Sequence, residues 1–457
     1  MYYNCILGSE RVVFMKKLLF LFCLLPAGAL AATDNCRTME TVPEGELTLQ
    51  QVIELGLCRN PETASAYLSL ESARFNKNAG YSQYLPSVSV SGSASLPYRN
   101  REFDDWSYGA SISASYLIFD FGKRLSDVNQ LIDTWRATGF DYSESVQNYV
   151  YGIIGAYYAL LNADADVITA QALKDVAQTA KDTADKKYKA GAVAKVDVLR
   201  ADTTLASNAL ELERAKNNRE IAKGNLLAKL SFPADQDIQI ADMSSDFGSE
   251  SENKSIDDLI AEAREKRPDL LRATANKDAA WHRRNSAFLQ NLPSISASGS
   301  LSWNNIPSDV YNAGQDEWSG SIGIRASMPI FAGFSNMYNV RSAQANYERA
   351  KEQERLTVDN AMLDVFTAYQ NYKTAQMVLT QTAALLASAQ ESERVTAGMY
   401  RVGKATMLDW QTAQSDLADA HKQNNAAKYD LFTKRAALAL SIGDIKEGLM
   451  QEGEADE

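Results

Sequence analysis

Histidine is nearly absent from this chain, with His282 and His421 the only two in 457 residues, each on a helical stretch among charged side chains. No metal-ligand cluster, glycine-rich phosphate loop or nucleophile elbow accompanies them, so no enzyme chemistry, metal or cofactor is expected. The aspartate pairs Asp104-Asp105 and Asp257-Asp258 are adjacent and project differently, which suits a loop and a helix start better than an acid/base couple. Basic residues are in deficit, 46 Lys and Arg against 58 Asp and Glu, giving a net charge of −12. That balance argues against nucleic acid as a partner. Also lacking beyond residue 32 is any apolar run of about 20 residues, so no helix is expected to cross a membrane, while a β-barrel stays open as a possibility. Cysteine is scarce, and proline is absent from two stretches of about 60 residues each.

What is present begins with a secretory leader. Met15-Lys16-Lys17, the apolar run Leu18 to Leu25 and the small residues Ala29 to Ala32 place a signal peptide at 1–32, with Met15 as the alternative start. Loss of Glu10, Arg11, Lys16 and Lys17 with the leader makes the net charge about −14. Export puts the two remaining cysteines, Cys36 and Cys58, in an oxidising compartment, where they are expected to pair, two unpaired thiols being the alternative. Neither stands at the cleavage point after a small residue, as a lipid anchor requires.

The second half repeats the first. Leu85-Pro86-Ser87-Val88-Ser89 returns as Leu292-Pro293-Ser294-Ile295-Ser296, and Tyr188-Lys189-Ala190-Gly191 with Asp197 returns as Tyr400-Arg401-Val402-Gly403 with Asp409. A period of about 210 residues marks duplication of a whole structural unit, outside the range of short solenoid repeats. The organisation read from it is a first repeat at 33–232, a linker at 233–254 with a short strand at 238–240, a second repeat at 255–443, and a disordered acidic tail at 444–457.

Within each repeat a short amphipathic helix ends at Asn60-Pro61-Glu62 or Arg267-Pro268-Asp269, where proline opens the next helix. Strict alternation follows. Val88, Val90, Gly92 and Ala94 share one face while Ser87, Ser89, Ser91, Ser93 and Ser95 share the other, the period of a strand with one apolar side. Strands are expected at about 87–96, 107–118, 294–303 and 319–330, each long enough to cross a bilayer at a tilt. Four strands close no membrane barrel, since the smallest have about eight, so three chains supplying about twelve would be required. The remainder reads as helices from about 126 to 189 and 335 to 399, returning over 196–230 and 407–442. At 1.5 Å per residue, about 60 residues span roughly 90 Å, a length used by coiled coils and helical barrels.

In order and in both halves, Leu47-Thr48-Leu49 through Asn60-Pro61-Glu62, Arg267-Pro268-Asp269-Leu270, the Leu-Pro-Ser strand openings, the turns Ile118-Phe119-Asp120-Phe121-Gly122 and Pro329-Ile330-Phe331-Ala332-Gly333, and the tip Tyr400 to Asp409 resemble the TolC-like outer-membrane efflux protein family. The resemblance covers about 47–443. It implies a fold that is mainly α with membrane β: a homotrimer whose 12-stranded barrel in the outer membrane continues into an α-helical periplasmic barrel. It also implies docking onto a periplasmic adaptor protein and an inner-membrane transporter, contact with outer-membrane lipid, and no catalysis.

By the same resemblance Asp409 matches a position lining the periplasmic constriction and Tyr400 one that helps latch it. Thr412 stands where some members carry a second aspartate, and Lys404 and Ala405 occupy a turn where an arginine can sit. Asp197 and Asp409 stand just past the turns, placed either to ring the axis or to cap the returning helices. Gly191 and Gly403 suit the reversal between long helices. Val402, Lys404, Ala405 and Thr406 are carried over as adaptor contacts. Phe119, Phe121, Phe331 and Phe334, where strands give way to helices, suit either an aromatic belt at the inner bilayer interface or ordinary junction packing. Two further readings remain: a type I protein-secretion channel in place of drug efflux, and a soluble periplasmic or surface coiled-coil protein.

Overall fold

A computed structural model describes residues 41–43, 45–96, 98–99, 102–103, 106–242, 255–306 and 315–445. The expected leader, the partner cysteine Cys36 and most of the expected tail therefore lie outside the described residues, as does the Cys36–Cys58 pairing. Cys58 itself is half-buried.

Each half is a copy of the other. The first runs α1 (Leu49–Arg59), α2 (Pro61–Gly80), strands β2 (Ser87–Ser95) and β5 (Ser107–Phe119), then α3 (Lys123–Lys189) and α4 (Lys195–Lys229). Between β2 and β5 lies a two-residue hairpin, β3 (Tyr98–Arg99) and β4 (Glu102–Phe103). The second copy runs α5 (Ile256–Lys266), α6 (Pro268–Leu289), β7 (Ser294–Ile306), β8 (Gln315–Ser327), α7 (Ser335–Arg401) and α8 (Met407–Ile442). Helices α3 and α7 are both 67 residues long, roughly 100 Å each, and neither contains proline.

Local chemistry starts these helices in matching ways. Thr48 and Gln51 form a capping box at α1, and Ser255 and Asp258 form one at α5. The Asn60 carboxamide oxygen accepts from the Glu62 and Thr63 amides at 2.7 and 3.0 Å, with Pro61 at the first helical position.

The four long strands form one antiparallel sheet in the order β2-β5-β7-β8. Strand β8 is displaced from its expected span, beginning at Gln315 and ending at Ser327. Polar residues extend the ladder outward, Asn304 opposite Glu317 and Asn305 opposite Asp316, where alternation of apolar residues no longer marks a strand. At the other end Pro329 has no amide to donate.

Midway along the helices sits the main core. Val52 and Ile53 of α1, Val150, Ile153, Ile154 and Tyr157 of α3, and Leu226, Leu227 and Leu230 at the end of α4 pack together. Strands β1 (Glu46–Leu47) and β6 (Gln239–Ile240) pair in parallel beside it, and the Tyr157 hydroxyl donates to the Ala241 carbonyl at 2.5 Å. The ordered body extends past the expected boundary at 443, because Ile445 is 1% exposed in this core and Asp444 pairs with Lys266 at 2.5 Å.

Gly443 closes α8 at φ +86°, and a Cβ there would stand 2.8 Å from the Arg267 Cα. Gly443→Ala is expected to lower the thermal midpoint, with left-handed strain alone costing roughly 1–3 kcal/mol. Gly139→Ala, inside α3 with only Leu70 Cδ1 at 3.8 Å, should shift it the other way by about 0.5–1 kcal/mol. Circular dichroism on heating compares the two.

Candidate functional site at the helical tips and the strand sheet

Two elements stand out chemically, the paired helical tips and the two faces of the sheet. Both tips reverse by the same device. Helix α3 ends with Gly191 at φ +71°, the Ala192 amide donating to Lys187 O at 2.9 Å and the Gly191 amide to Tyr188 O at 2.9 Å. In the second copy Gly403 has φ +78°, with Lys404 N to Met399 O at 2.8 Å and Gly403 N to Tyr400 O at 3.1 Å. This is the Schellman pattern, and it needs a left-handed residue where both copies carry glycine.

Beyond the turns the copies diverge. Thr406 and Asp409 form a capping box at α8: the Asp409 Oδ2 accepts from the Thr406 amide at 2.8 Å and its hydroxyl at 2.7 Å, while the Asp409 amide donates back at 3.2 Å. The Thr406 hydroxyl and amide hold the Asp409 carboxyl below the usual aspartate range. Its other oxygen, Oδ1, accepts none of the hydrogen bonds described, and the residue is exposed. In the first copy Ala194 occupies the cap position, no side chain caps α4, and the half-buried Asp197 forms no such box. Asp409 thus caps, and Asp197 does not. Val402, Lys404 and Thr406 are exposed, Ala405 is half-buried, and Thr412 is exposed with its hydroxyl donating to Leu408 O at 3.0 Å.

Between the tips lies a small core of Ala180, Ala184, Ala201, Ala397, Tyr400, Met407 and Trp410. Trp410 is 1% exposed, its ring 5.2 Å from that of Tyr400, and its Nε1 donates to Glu393 Oε1 at 2.8 Å. Lys187 lies 4.1 Å over the Tyr400 ring and donates to the Tyr400 carbonyl. Gln411 bridges the copies, donating to Arg200 O at 3.2 Å and to the Thr204 hydroxyl. The Tyr400 hydroxyl and both amide atoms of Gln414 are buried without a hydrogen-bond partner. Burial, and then the Asp197 charge, push the Tyr400 phenol up.

Where strands meet helices, Phe121 and Gly122 take φ of +54° and +89°, and Gly333 and Phe334 take +60° and +64°. All four phenylalanines of the two turns are exposed on the chain, with Phe119 4.8 Å from Phe121 and Phe331 5.4 Å from Phe334. Only the first turn has a buried clamp. Arg124 bonds to Asp120 at 3.1 Å, to Leu117 O at 2.7 Å and to Ile118 O at 3.3 Å, whereas the second copy has Ala332 and Asn336 at those places.

On the sheet, serine faces serine. Ser89–Ser113, Ser91–Ser111, Ser300–Ser321 and Ser302–Ser319 are hydroxyl pairs at 2.8, 2.8, 3.0 and 2.8 Å, and the β5–β7 register sets Ser111 opposite Ser302 and Ser113 opposite Ser300. A hydroxyl-lined face therefore spans all four strands. The opposite face carries Val90, Ile112, Leu301, Trp318, Ile322 and Ile324, all exposed. A contiguous apolar surface of this kind on one side of a sheet is a lipid or protein contact.

Against known proteins, the model of the outer membrane efflux protein family matches residues 52–230 and 259–444. The chain belongs to that family. Outer membrane protein TolC of Salmonella enteritidis is 24% identical over 418 residues, covering 87% of this chain and 82% of that protein. Protein CyaE of Bordetella pertussis is 22% identical over 407 residues, covering 88% and 85%. Among solved structures, outer membrane protein VceC of Vibrio cholerae has the same fold, with a TM-score of 0.74 at 20% identity, over 87% of this chain and 96% of that one.

For this member of the outer membrane efflux protein family, the sequence expectations named Asp409, Asp197, Tyr400 and Thr412, and the structure brings Tyr400 and Asp197 near each other while leaving Asp409 and Thr412 on the exposed side of α8. Trp410, Glu393 and Lys187 were missed as a unit. A lone tryptophan in an alanine-rich helix, ten residues after Tyr400, was the available signal.

The depressed Asp409 carboxyl fixes the sign of its pH response: cap stability is full above the ordinary aspartate range of about 4 and is lost as pH falls through the lowered value. Hydrogen exchange of the first turn of α8 should therefore be flat from pH 5 to 8 after correction for intrinsic rates. Thr406→Ala should raise it roughly fivefold throughout.

Proposed function

We propose that three copies of this chain form an outer-membrane exit duct, a twelve-stranded barrel continuous with an α-helical periplasmic tunnel. It would pass small molecules or secreted proteins outward from a periplasmic adaptor and inner-membrane transporter. The observation that carries this reading is the unequal burial of equivalent residues in the two copies. With α3 and α7 equal in length and offset by 212 residues, Ile154 corresponds to Phe366, yet Ile154 is 2% exposed and Phe366 49%. Helix α3 is covered by α6 and α8 of the second copy. Applying the same relation once more sets α7 against α2 and α4 of the next chain, and those helices expose Tyr67, Leu68, Phe75, Leu210 and Ile221.

The sheet repeats the argument. Ser87 is opposite Ser115 in the first copy and Ser294 opposite Ser327 in the second, so the hairpins superpose in register. Strand β5 pairs with β7, and the equivalent partner of β8 is β2 of the next chain. In lipid neither edge can stay open. The β5–β7 register, Ser115 opposite Ser298, then translates to Ser327 opposite Ser91 of the neighbouring copy.

At the tips, Asp409 serves both expected roles in this reading, one carboxylate oxygen capping α8 and the other facing the axis with those of two further copies. The Tyr400 hydroxyl and Gln414 amide are buried without partners, and each such group costs about 1–3 kcal/mol, so a rearranged tip that satisfies them would recover that energy. Phe119, Phe121, Phe331 and Phe334 would sit at the inner lipid boundary.

Oxidising a Ser91→Cys, Ser327→Cys double variant should yield a covalent trimer in the outer-membrane fraction, and neither single variant should. A monomer released by salt wash, with no heat-modifiable trimer, would sink the duct. In planar bilayers Asp409→Ala should raise trimer conductance while Thr406→Ala, which removes the box and keeps the charge, should not. Equal conductance of all three proteins would remove Asp409 from the gate.

A further inference from the structure

The hydroxyl face of the sheet carries a single basic residue. Of the positions on that face of β2, β5, β7 and β8, only Arg325 and Glu317 are charged. Arg325 is exposed, lies opposite Ser296, and stands at the position that serine, Ser113, fills in the first copy. Translating the β5–β7 register places Ser93 of the next chain on its other side. Its immediate neighbours on this face, Gly323, Ser327, Ser296 and Ser93 of that chain, carry no charge. Glu317 is eight residues further along the same strand, roughly 27 Å away, beyond the reach of a screened interaction.

We infer that Arg325 sets the charge selectivity of the barrel, favouring anionic over cationic solutes of equal size. This rests on the duct reading, because only a closed trimer turns the hydroxyl face into a lumen. Twelve strands tilted by about 40° enclose a backbone radius of roughly 12 Å. The Debye length at physiological salt is about 8 Å, so three guanidinium groups reaching inward cover the cross-section of the bore at their own level. Serine hydroxyls offer hydrogen bonds to either sign of solute and no compensating charge. At the level of Arg325 the wall carries no other charge, so the guanidinium ring sets the field there, while Glu317 acts at its own level farther along the strand.

An edge-strand charge also keeps unassembled sheets from pairing wrongly. That role ends at assembly and leaves the permeability of the finished trimer untouched, which separates the two.

The test is the chloride-to-potassium permeability ratio of the purified full-length trimer in a planar bilayer under a salt gradient. Arg325→Gln is expected to lower the ratio about twofold, Arg325→Lys to keep it, and Ser113→Arg, which doubles the ring, to raise it. A conducting Arg325→Gln trimer with the wild-type ratio overturns the inference and leaves the duct standing. Failure of the wild-type protein to conduct at all overturns both.

Discussion

An unpaired backbone amide or carbonyl in hydrocarbon costs several kcal/mol, and this single penalty organises the molecule. The sheet has an apolar face suited to lipid and two open edges that lipid forbids. Strands of nine to thirteen residues cannot resolve that within one chain. Duplication supplies two hairpins with the same register, and the proposed threefold repetition would supply the closure. The helices obey the same geometry, since each inherits the direction of a strand and must find neighbours spaced as the strands are. Exposed leucine and phenylalanine on α7 are thus the helical counterpart of the open strand edge.

The two halves also show how far near-symmetry extends. Helix lengths, hairpin register, the glycine at each tip and the capping boxes of α1 and α5 agree between copies. Departures cluster where helices begin: the capping box of α8 has no counterpart at α4, the Asp120–Arg124 clamp has none at Asn336, and Trp410 stands where the first copy has Val198. Burial of Arg124 and Asp120 at 7% and 8% exposure ties α3 rigidly to its strand. Helix α7 leaves β8 through Gly333 and Phe334 without such a tie. Helix α3 is thus held to its strand by a buried ion pair that α7 lacks.

Much of this was legible from residue order alone, for reasons that differ between elements. Alternating serine and aliphatic residues mark strands directly because one face is uniform. Helices of 67 residues were readable because proline is missing and small residues recur. The limits of β8 were not, since Glu317, Asp316 and Gln315 extend a ladder whose partners are asparagine and isoleucine, and backbone pairing there carries no side-chain pattern. At the tip, the choice between capping and gating for Asp409 could not be settled by spacing, because Thr406 three residues earlier serves the first without barring the second. The Trp410–Glu393 bond joins two helices across a turn, and no local pattern announces a contact of that kind.

Strand pairing in this sheet spans very different chain separations. Ser95 and Ser107 are twelve residues apart, whereas Tyr108 and Asn305 are separated by 197, with four helices between them. Loop-closure entropy makes the second pairing late unless those helices are already folded against one another. The cost of joining the two hairpins is thus met by helix packing outside the sheet, which holds β5 and β7 at matching heights.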